Sequence, residues 1–466
     1  MISESAKNIV SDSKLVTSGS IFIAIKGTVY DGHDYIEQAI KKGAKTIILE
    51  NKNKIIPEYE NKVSFFLVED TRVALAEILS KTYPQPKNII AVTGTNGKTS
   101  VVNFVMQIMD LLGHNCASVG TMGIRDNRKI FDNRKEFQNL TTPDPIVLHQ
   151  AMEGMIENQI DTVAIEASSH GLEQHRVDGL NIKAAAFTSF SQDHLDYHKT
   201  MEAYLEAKMR LFTEVLKDGS HVVLNSDMKE FKQIKNQCLN KKHKILSYGK
   251  NGDFIRIQHI NYNDGLNCVY EVEGKEFNLN TKLLGEFQIY NIMAAFGLVK
   301  SLGYKVDEIA KVLPKLKPIK GRLDRVGKSE VYIDFSHTPD SLEKALEVMR
   351  QHLEGKLIVV FGCGGDRDKT KRPKMGEVAK RLADIVYVTD DNPRTEDPKQ
   401  IRKDIIVACQ GALEVDDRED AIKQAVKSMR KGDRLLIAGK GHEDYQIIGT
   451  KKNHFDDREV AEKYLV

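Results

Sequence analysis

Apolar and polar positions along this chain switch between two periods, and each switch marks an element. Ile89, Ile90 and Val92 form a β-branched run that reads as a buried strand. After a short turn, Val101, Val102, Phe104, Val105, Ile108, Met109 and Leu112 recur at the spacing of a buried helix face. The alternation continues through Thr162–Ile165, Ala184–Thr188 and Val222–Leu224, which predicts a mostly parallel sheet with helices on its faces. Upstream, the run Ile21–Ile25, a glycine-containing turn, a helical stretch and the strand Thr46–Leu49 predict a small α/β domain. Downstream the alternation restarts with Val331–Ile333, Leu357–Phe361, Ile385–Thr389 and Leu435–Ala438, a Rossmann-like pattern. Joints fall at Tyr83–Lys87, where Pro84 and Pro86 resist pairing, and at Lys317–Gly321. The expected architecture is therefore α/β with three domains: 1–87, 88–322 with the central parallel sheet, and 323–466. A length of 466 residues accommodates three such units.

Composition narrows the partners. Lys plus Arg total 68 against 66 for Asp plus Glu, a net charge of +2 that argues against a nucleic-acid binder. The Lys41-Lys42 and Lys241-Lys242 pairs read as solvated faces. The five cysteines (Cys116, Cys238, Cys268, Cys363 and Cys409) are odd in number and lack C-x-x-C spacing. Neither a disulfide framework nor structural zinc is expected, and a reducing compartment fits. Met1 to Lys14 has no apolar core of signal-peptide length, and no apolar run reaches the roughly 18 residues of a membrane span. The expectation is a cytoplasmic protein without membrane insertion.

Chemistry concentrates where strands end. Between the first central strand and its helix lies Thr93-Gly94-Thr95-Asn96-Gly97-Lys98-Thr99-Ser100. A glycine-rich turn running into a helix presents backbone N–H groups and partial positive charge to phosphate. Lys98 can reach terminal phosphates, and Thr99 or Ser100 can ligate Mg²⁺. Val92 stands where the usual P-loop pattern has its first glycine. Glu166 closes the strand at 162–165 and precedes Ser168, with Gln174, His175 and Arg176 shortly after. A carboxylate there faces the ligand crevice of an open α/β sheet, as a metal ligand or as a strand-ending surface residue. Asp193-His194-Leu195-Asp196-Tyr197-His198 spaces two histidines for one helix face, without the H-E-x-x-H of a zinc site. Lys208 lies in an amphipathic helical stretch and by pattern is a surface lysine. In the last third, Arg367, the Asp391-Asn392-Pro393-Arg394 loop and Gly439 to Glu443 each follow a strand. Together they suit a zwitterionic or polyionic small molecule. Gly362–Arg367 is not G-x-G-x-x-G, so its glycines give no support for NAD.

Taken in order, these motifs resemble the ATP-dependent Mur ligases of bacterial cell-wall synthesis. The resemblance spans nearly the whole chain, through Ser11-Asp12-Ser13, Thr93–Thr99, Thr141-Thr142-Pro143-Asp144, Glu166–Arg176, Asp193–His198, His337–Leu342 and Phe361–Asp368. It runs closest to the branch that adds the third residue of the stem peptide. It implies a domain for the UDP end of the substrate, a central ATPase domain and a C-terminal amino-acid domain. The reaction implied activates a carboxylate as an acyl phosphate, which the amine of an amino acid then attacks. Carried over, Gly94, Thr95, Asn96, Gly97, Lys98, Thr99, Ser100, Asn291 and Arg322 would bind ATP, with Asn291 at adenine. Thr99, Glu166 and His194 would hold Mg²⁺, and Lys208 would be carbamylated. Ser13, Thr141, Thr142, Ser168, Gln174 and Arg176 would contact a UDP-N-acetylmuramoyl dipeptide. Arg367, Asp391, Asn392, Pro393, Arg394, Gly439 and Glu443 would contact the amino acid. The fourth position of the 391–394 motif is an arginine, which can pair with a carboxylate. meso-Diaminopimelate offers one at its distal end, whereas L-lysine offers only an ammonium; the former is expected. Ser189, Gln192, Gln288 and Phe335-Ser336 depart from the family's usual residues. A folylpolyglutamate or cyanophycin synthetase is disfavoured by Thr141–Asp144 and Asp391–Arg394. A lysine-adding ligase would share most of these motifs. A nucleotide-binding switch protein would leave the amino-acid pocket unexplained, and a dehydrogenase is remote.

Overall fold

The computed structural model describes residues 7–27, 30–131, 140–262, 265–351 and 353–465. Its N-terminal sheet is built from β1 (Ile9–Val10), β2 (Ile21–Ile23), β3 (Thr46–Leu49) and β4 (Ser64–Leu67), parallel and in chain order. The helix Thr71–Thr82 starts where the Asp70 carboxylate accepts from the N–H groups of Arg72 and Val73, a side-chain N-cap. Leu75 and Leu79 of that helix pack with Ile9, Ile23 and Ile48, and also with Ile146 of the middle region. An apolar seam thus ties the first domain to the second.

The large sheet comprises β5 (Asn88–Thr93), β6 (Cys116–Gly120), β7 (Gly123–Asp126), β8 (Thr162–Glu166), β9 (Ile182–Phe187), β10 (His221–Asn225), β11 (Lys244–Gly249), β12 (Ile255–Asn261), β13 (Leu266–Val272) and β14 (Lys275–Thr281). Their order is β14-β13-β12-β11-β10-β9-β5-β8-β6-β7. The strands from β12 across to β6 are parallel, and β7, β13 and β14 add antiparallel edges. On β5, Ile90 and Val92 enter one core while Ile89 and Ala91 enter the other, as the two-residue strand period requires. Helices Lys98–Leu111 and Glu286–Ser301 cover the first face, and Pro145–Glu157 covers the second. Burying Ile90 or Val92 stabilises the fold by roughly 1.5–3 kcal/mol each. Chain order reverses around β5, with β8 on one side and β9 on the other, so the loop after β5 opens into the switch-point crevice.

The third sheet holds β15 (Asp324–Arg325), β16 (Val331–Asp334), β17 (Leu357–Phe361), β18 (Ile385–Val388), β19 (Leu413–Glu414) and β20 (Arg434–Ala438), in the order β15-β16-β20-β17-β18-β19. Only β15 is antiparallel. Leu357, Val359 and Phe361 face one core, and Ile358 and Val360 the other. A small hairpin, β21 (Tyr445–Ile448) and β22 (Lys451–His454), follows it. The fold is thus α/β throughout, with mainly parallel sheets. Several sequence readings change; the strand read at 385–389, for one, ends at Val388. The strand expected at 184–188 begins at Ile182 and ends at Phe187. The antiparallel wing β12–β14 was not anticipated, because its strands mix buried positions with partly buried or exposed ones instead of forming an apolar run.

Candidate active site

The phosphate-loop candidate sits at the carboxyl end of β5. Gly97 takes φ of 89° and starts the helix Lys98–Leu111, a left-handed turn that glycine adopts without steric cost. The loop is strapped from β9: Thr188 and Ser189 hydroxyls donate to Asn96 O at 2.6 and 3.1 Å, and Thr95 N donates to Ser189 O at 2.7 Å. Ser189, one of the departures from the family pattern, is therefore a structural strap. Lys98 Nζ folds back to donate to Gly94 O at 2.8 Å and Thr95 O at 2.9 Å. Lys208 Nζ donates to that same Gly94 carbonyl at 2.9 Å.

Lys208 is 1% exposed, which corrects the surface reading. The helix Met201–Arg210 is buried on two faces: Leu205 and Met209 enter the core, while Tyr204 and Lys208 stack towards the loop. Burial and the neighbouring Lys98 push the Lys208 ammonium pKa well below the ordinary lysine range. Lys98 is lowered too, first by burial.

Thr99 and Glu166 meet beside this loop. Thr99 Oγ1 donates to Glu166 Oε2 at 3.1 Å and accepts from Arg322 Nη2 at 3.0 Å. Thr121 donates through its N–H to Glu166 Oε1 at 2.9 Å and through its hydroxyl to Oε2 at 3.1 Å. Glu166 is buried, and burial raises its carboxyl pKa against the opposing pull of Lys98. The oxygen donors of Thr99 and Glu166 suit a hard cation. Among the described residues, no three His, Cys, Asp or Glu side chains converge to hold a metal. His194 precedes the short helix Leu195–His198 at φ of 54°. Burial brings its pKa down to about 3. His194 and His198 do not pair directly as a zinc face; both pack against His170, with ring centroids 4.8 and 5.3 Å away.

A cavity of about 450 Å³ opens from the loop between the second and third domains. Asn96, Gly97, Ser100, Thr188, Asn225 and Asn291 form one wall, and Asp334, Phe335, Ser336, Lys344 and Val348 the other. Phe287 and Tyr290 give it apolar surface. Asn291 lies on the loop's own wall, its amide donating to Gln288 Oε1 at 3.2 Å. The two domains are also joined directly. Asn96 Nδ2 donates to Asp340 Oδ2 at 2.8 Å, and Gln192 Nε2 donates to Thr370 Oγ1 at 2.8 Å. Lys371 Nζ lies 3.7 Å from Asp193 Oδ1, and His337 Nε2 lies 3.9 Å from Asp193 Oδ2. Asp193 is buried, yet Lys371, His194 and His337 together hold its carboxyl well below the usual range.

The polar residues after β8 form one network. Thr142 Oγ1 donates to Glu166 O at 2.8 Å and accepts from Ser168 N at 2.9 Å. The Ser168 side chain caps the helix Ser169–Glu173. The Thr141 hydroxyl lies 3.2 Å from that of Thr121, whose own proton goes to Glu166. Arg176 donates to Thr142 O at 2.8 Å and Gln174 Oε1 at 2.7 Å. Ser13 lies apart in the first domain, donating to Gln38 Oε1 at 2.9 Å.

The third cluster joins the loops after β17, β18 and β20. Arg394 takes φ of 52°, and its backbone is pinned by the hairpin: its N–H donates to Ile447 O at 3.1 Å, and its carbonyl accepts from Gly449 N at 2.7 Å. Its guanidinium donates to Gly365 O at 2.8 Å. A Cβ on Gly364 would come within 2.8 Å of Arg394 Nη1. The 362–365 glycines thus serve the close packing of two loops. Burial and Arg367 pull the Arg394 pKa below the ordinary arginine value. Asn392 Nδ2 donates to Glu443 Oε2 at 2.9 Å. Asp391 and Pro393 are buried beside it, and Gly439 N donates to Asp334 O at 3.0 Å. The cluster therefore gathers two guanidiniums, Arg367 and Arg394, and two carboxylates, Asp391 and Glu443.

Three family models match in sequence order: Mur ligase family, catalytic domain, over 5–83; Mur ligase middle domain over 92–299; and Mur ligase, glutamate ligase domain, over 321–441. The chain belongs to the Mur ligase family. It is 45% identical to the UDP-N-acetylmuramoyl-L-alanyl-D-glutamate–2,6-diaminopimelate ligase of Rickettsia prowazekii, over 98% of this chain and 95% of that one. The protein of the same name from Agrobacterium fabrum is 40% identical, covering 98% and 92%. A solved structure of a protein bearing that name superposes with a TM-score of 0.69 at 32% identity, covering 98% of this chain and 94% of that one. The MurF ligase from Thermotoga maritima, in complex with ADP, shares the fold at 20% identity and a TM-score of 0.65, covering 100% and 98%. This Mur ligase is thus an ATP-dependent acid–amino-acid ligase.

Several site residues escaped the sequence reading. Asp193 stands next to His194, but its partners Lys371 and His337 come from distant segments. Asp334 closes β16 as Glu166 closes β8, and that strand-end signal could have found it. Lys440 lies between two glycines of a motif already singled out. Among the described residues no helix is long and apolar enough to cross a membrane, and all five cysteines are free and buried.

Proposed function

We propose that this ligase joins meso-2,6-diaminopimelate to UDP-N-acetylmuramoyl-L-alanyl-D-glutamate, with ATP consumed to ADP and phosphate, in peptidoglycan precursor synthesis in a reducing cytoplasm. The observation that carries the substrate is Arg394, a guanidinium fixed by backbone carbonyls between two loops, with Asp391 and Glu443 alongside. A carboxylate and an ammonium on one carbon, the distal end of diaminopimelate, match that arrangement; the ammonium end of lysine does not. In this reading residues 1–87 hold the UDP end, 88–322 the nucleotide and 323–466 the amino acid.

ATP would lie in the interdomain cavity with its phosphates on Gly94–Ser100, Arg322 beside them and Asn291 at adenine. Thr99, Glu166 and His194 would hold Mg²⁺, which supplies charge neutralisation at phosphate oxygens. Lys98 would leave the Gly94 carbonyl to follow charge onto the transferring phosphoryl group. The substrate's free glutamyl carboxylate, oriented by Thr141, Thr142, Ser168, Gln174 and Arg176, attacks the γ-phosphorus. The bond to the β–γ bridging oxygen breaks, ADP leaves, and an acyl phosphate forms. The amine of diaminopimelate then attacks the acyl carbon, gives up a proton, and expels phosphate as the amide closes. Ser13 would meet the nucleotide end.

Lys208 has a chemical role in this scheme. Two ammoniums cannot comfortably share one carbonyl in a buried setting, and Lys208 is the one driven further towards its neutral form. A neutral amine adds to CO₂ and releases a proton, which turns a repelling cation into a carbamate that attracts Lys98. The test of function is phosphate release with ATP, Mg²⁺ and the UDP-linked dipeptide, comparing meso-diaminopimelate with L-lysine. Diaminopimelate-dependent release with a matching amide product is the expected result. Lysine-dependent release would keep the ligase and overturn the role of Arg394.

A further inference from the structure

The amino-acid pocket is underlain by a lysine that none of its assigned contacts includes. Lys440 follows β20, and its side chain is 0% exposed. Its Nζ donates to Asn392 Oδ1 at 3.0 Å and lies 3.6 Å from Glu443 Oε2. Burying a cation is costly unless it is paired, so these contacts account for its place.

The hydrogen-bond pattern has one solution. Asn392 Oδ1 accepts from Lys440 Nζ and also from Ile447 N at 2.9 Å. Two donors on one atom identify it as the oxygen. The amide nitrogen must then face Glu443, and it donates to Oε2 at 2.9 Å. Glu443 Oε2 is therefore occupied from within the protein, while among the described residues Oε1 meets only the Tyr445 hydroxyl at 3.4 Å, a long contact. Oε1 remains as the acceptor for an incoming group.

We propose that Lys440 is a positioning residue for the amino-acid substrate: it locks the Asn392 amide and counter-charges Glu443, so that Oε1 stands as an anionic acceptor for the ligand's ammonium. This rests on the diaminopimelate reading given above. The charges around Glu443 make the need for a counter-charge plain. Asp391 faces it as a like charge; Lys440, Arg394 and Arg418 are the cations near it, and Tyr445 is the neutral neighbour. Burial and Asp391 raise the Glu443 carboxyl, while Lys440 and Arg394 oppose that rise. A carboxyl with a raised pKa loses its charge as pH falls, and removing Lys440 moves that loss to higher pH.

The test is steady-state phosphate release by the full-length enzyme, varying meso-diaminopimelate at saturating ATP and UDP-linked dipeptide between about pH 6 and 9. Lys440→Met removes both the hydrogen bond and the charge; Lys440→Gln keeps a donor for Asn392 without the charge. Expected for Lys440→Met is a rise of about tenfold or more in KM for diaminopimelate, with kcat and the KM values for ATP and the dipeptide close to wild type. The acidic limb of kcat/KM for diaminopimelate shifts to higher pH in both variants. Glu443→Gln abolishes that limb, and Lys440→Met/Glu443→Gln is no worse than Glu443→Gln alone. The double variant also leaves no unpaired buried charge, so it keeps the test open if Lys440→Met fails to fold. An unchanged KM and pH limb in Lys440→Met, or additive losses in the double variant, would overturn the proposal. Wild-type enzyme without any diaminopimelate-dependent release would instead overturn the reading on which it rests.

Discussion

Replacing Arg394 with alanine asks whether one side chain chooses the amino acid. The fold is indifferent to the change: both residues bear the same strain at φ of 52°, and the backbone bonds to Ile447 and Gly449 do not involve the side chain. The guanidinium gives up only its bonds to Gly365 O and Asn392 O, at 2.8 and 3.4 Å. What the proposed role says is lost is a charged, two-pronged contact to the distal carboxylate. Charged hydrogen bonds contribute about 1.5–3 kcal/mol each. Because the head is only partly buried, about 3–4 kcal/mol for the pair is the appropriate scale, or roughly 10²–10³ in kcat/KM for diaminopimelate. L-Lysine should gain, by up to about tenfold, since a repelling cation has been removed from its ammonium end. Phosphate release measured with each amino acid at limiting concentration gives both ratios. An equal fall with the two amino acids would refute the reasoning, because Arg394 would then be reading the α-carboxylate that both share.

Other consequences follow from the same contacts. Gly364→Ala, whose Cβ would sit 2.8 Å from Arg394 Nη1, should raise KM for diaminopimelate and leave the other KM values unmoved; a fall in kcat alone would contradict this. Thr99→Val removes the hydroxyl that joins Arg322 to Glu166, and should lower kcat about a hundredfold and move the Mg²⁺ activation curve to higher concentration. A wild-type Mg²⁺ curve would count against Thr99 as a ligand. If Lys208 carries a carbamate, ¹³C-bicarbonate should yield a carbamate carbon resonance in the wild type that is missing from Lys208→Arg. Glu396 tests pH linkage away from the site. Its carboxyl is lowered to about 2, Arg372 and the Asp366 N–H overcoming the opposing effect of burial. Its contribution is complete above the unfolded value near 4.3 and disappears as pH falls through about 2. Glu396→Gln should therefore melt below wild type at pH 7, with the gap closing towards pH 2; a gap independent of pH would exclude the charge.

The fold was legible where burial is two-sided. β5, β8 and β17 are apolar on both faces and read as uninterrupted runs, so their positions emerge from composition alone. The wing β12–β14 is buried less evenly, and polar residues such as Arg256, Gln258 and Glu271 interrupt the apolar runs by which the central strands were read. The phosphate-loop candidate was legible because turn, lysine and helix are contiguous. Lys208 was not, since amphipathic pattern assigns charge to solvent; the carbonyl that receives it belongs to a residue 114 positions away. Asp193, His337 and Lys371 meet only when two sheets present their strand ends to one another. Sequence order does not contain that encounter. Lys440 was inside a recognised motif and still unread, for burial of its ammonium depends on Asn392 and Glu443 being folded over it.

The cavity beside the phosphate-loop candidate belongs half to one domain and half to the next, and this gives it a thermodynamic property that neither half has. A molecule spanning both walls binds more tightly to the docked arrangement than to any separated one. The ratio of those two affinities is all the leverage it has on the equilibrium between them. On the proposed reading an amino acid seated on the third domain would benefit from that same docking, because docking sets His442 against Thr121, the partner of Glu166 at the carboxyl end of β8. Reciprocity then follows without any strained relay: whatever factor the nucleotide contributes to amino-acid affinity, the amino acid returns to the nucleotide. Cooperation between chemically unrelated ligands is, in this molecule, a property of a shared wall.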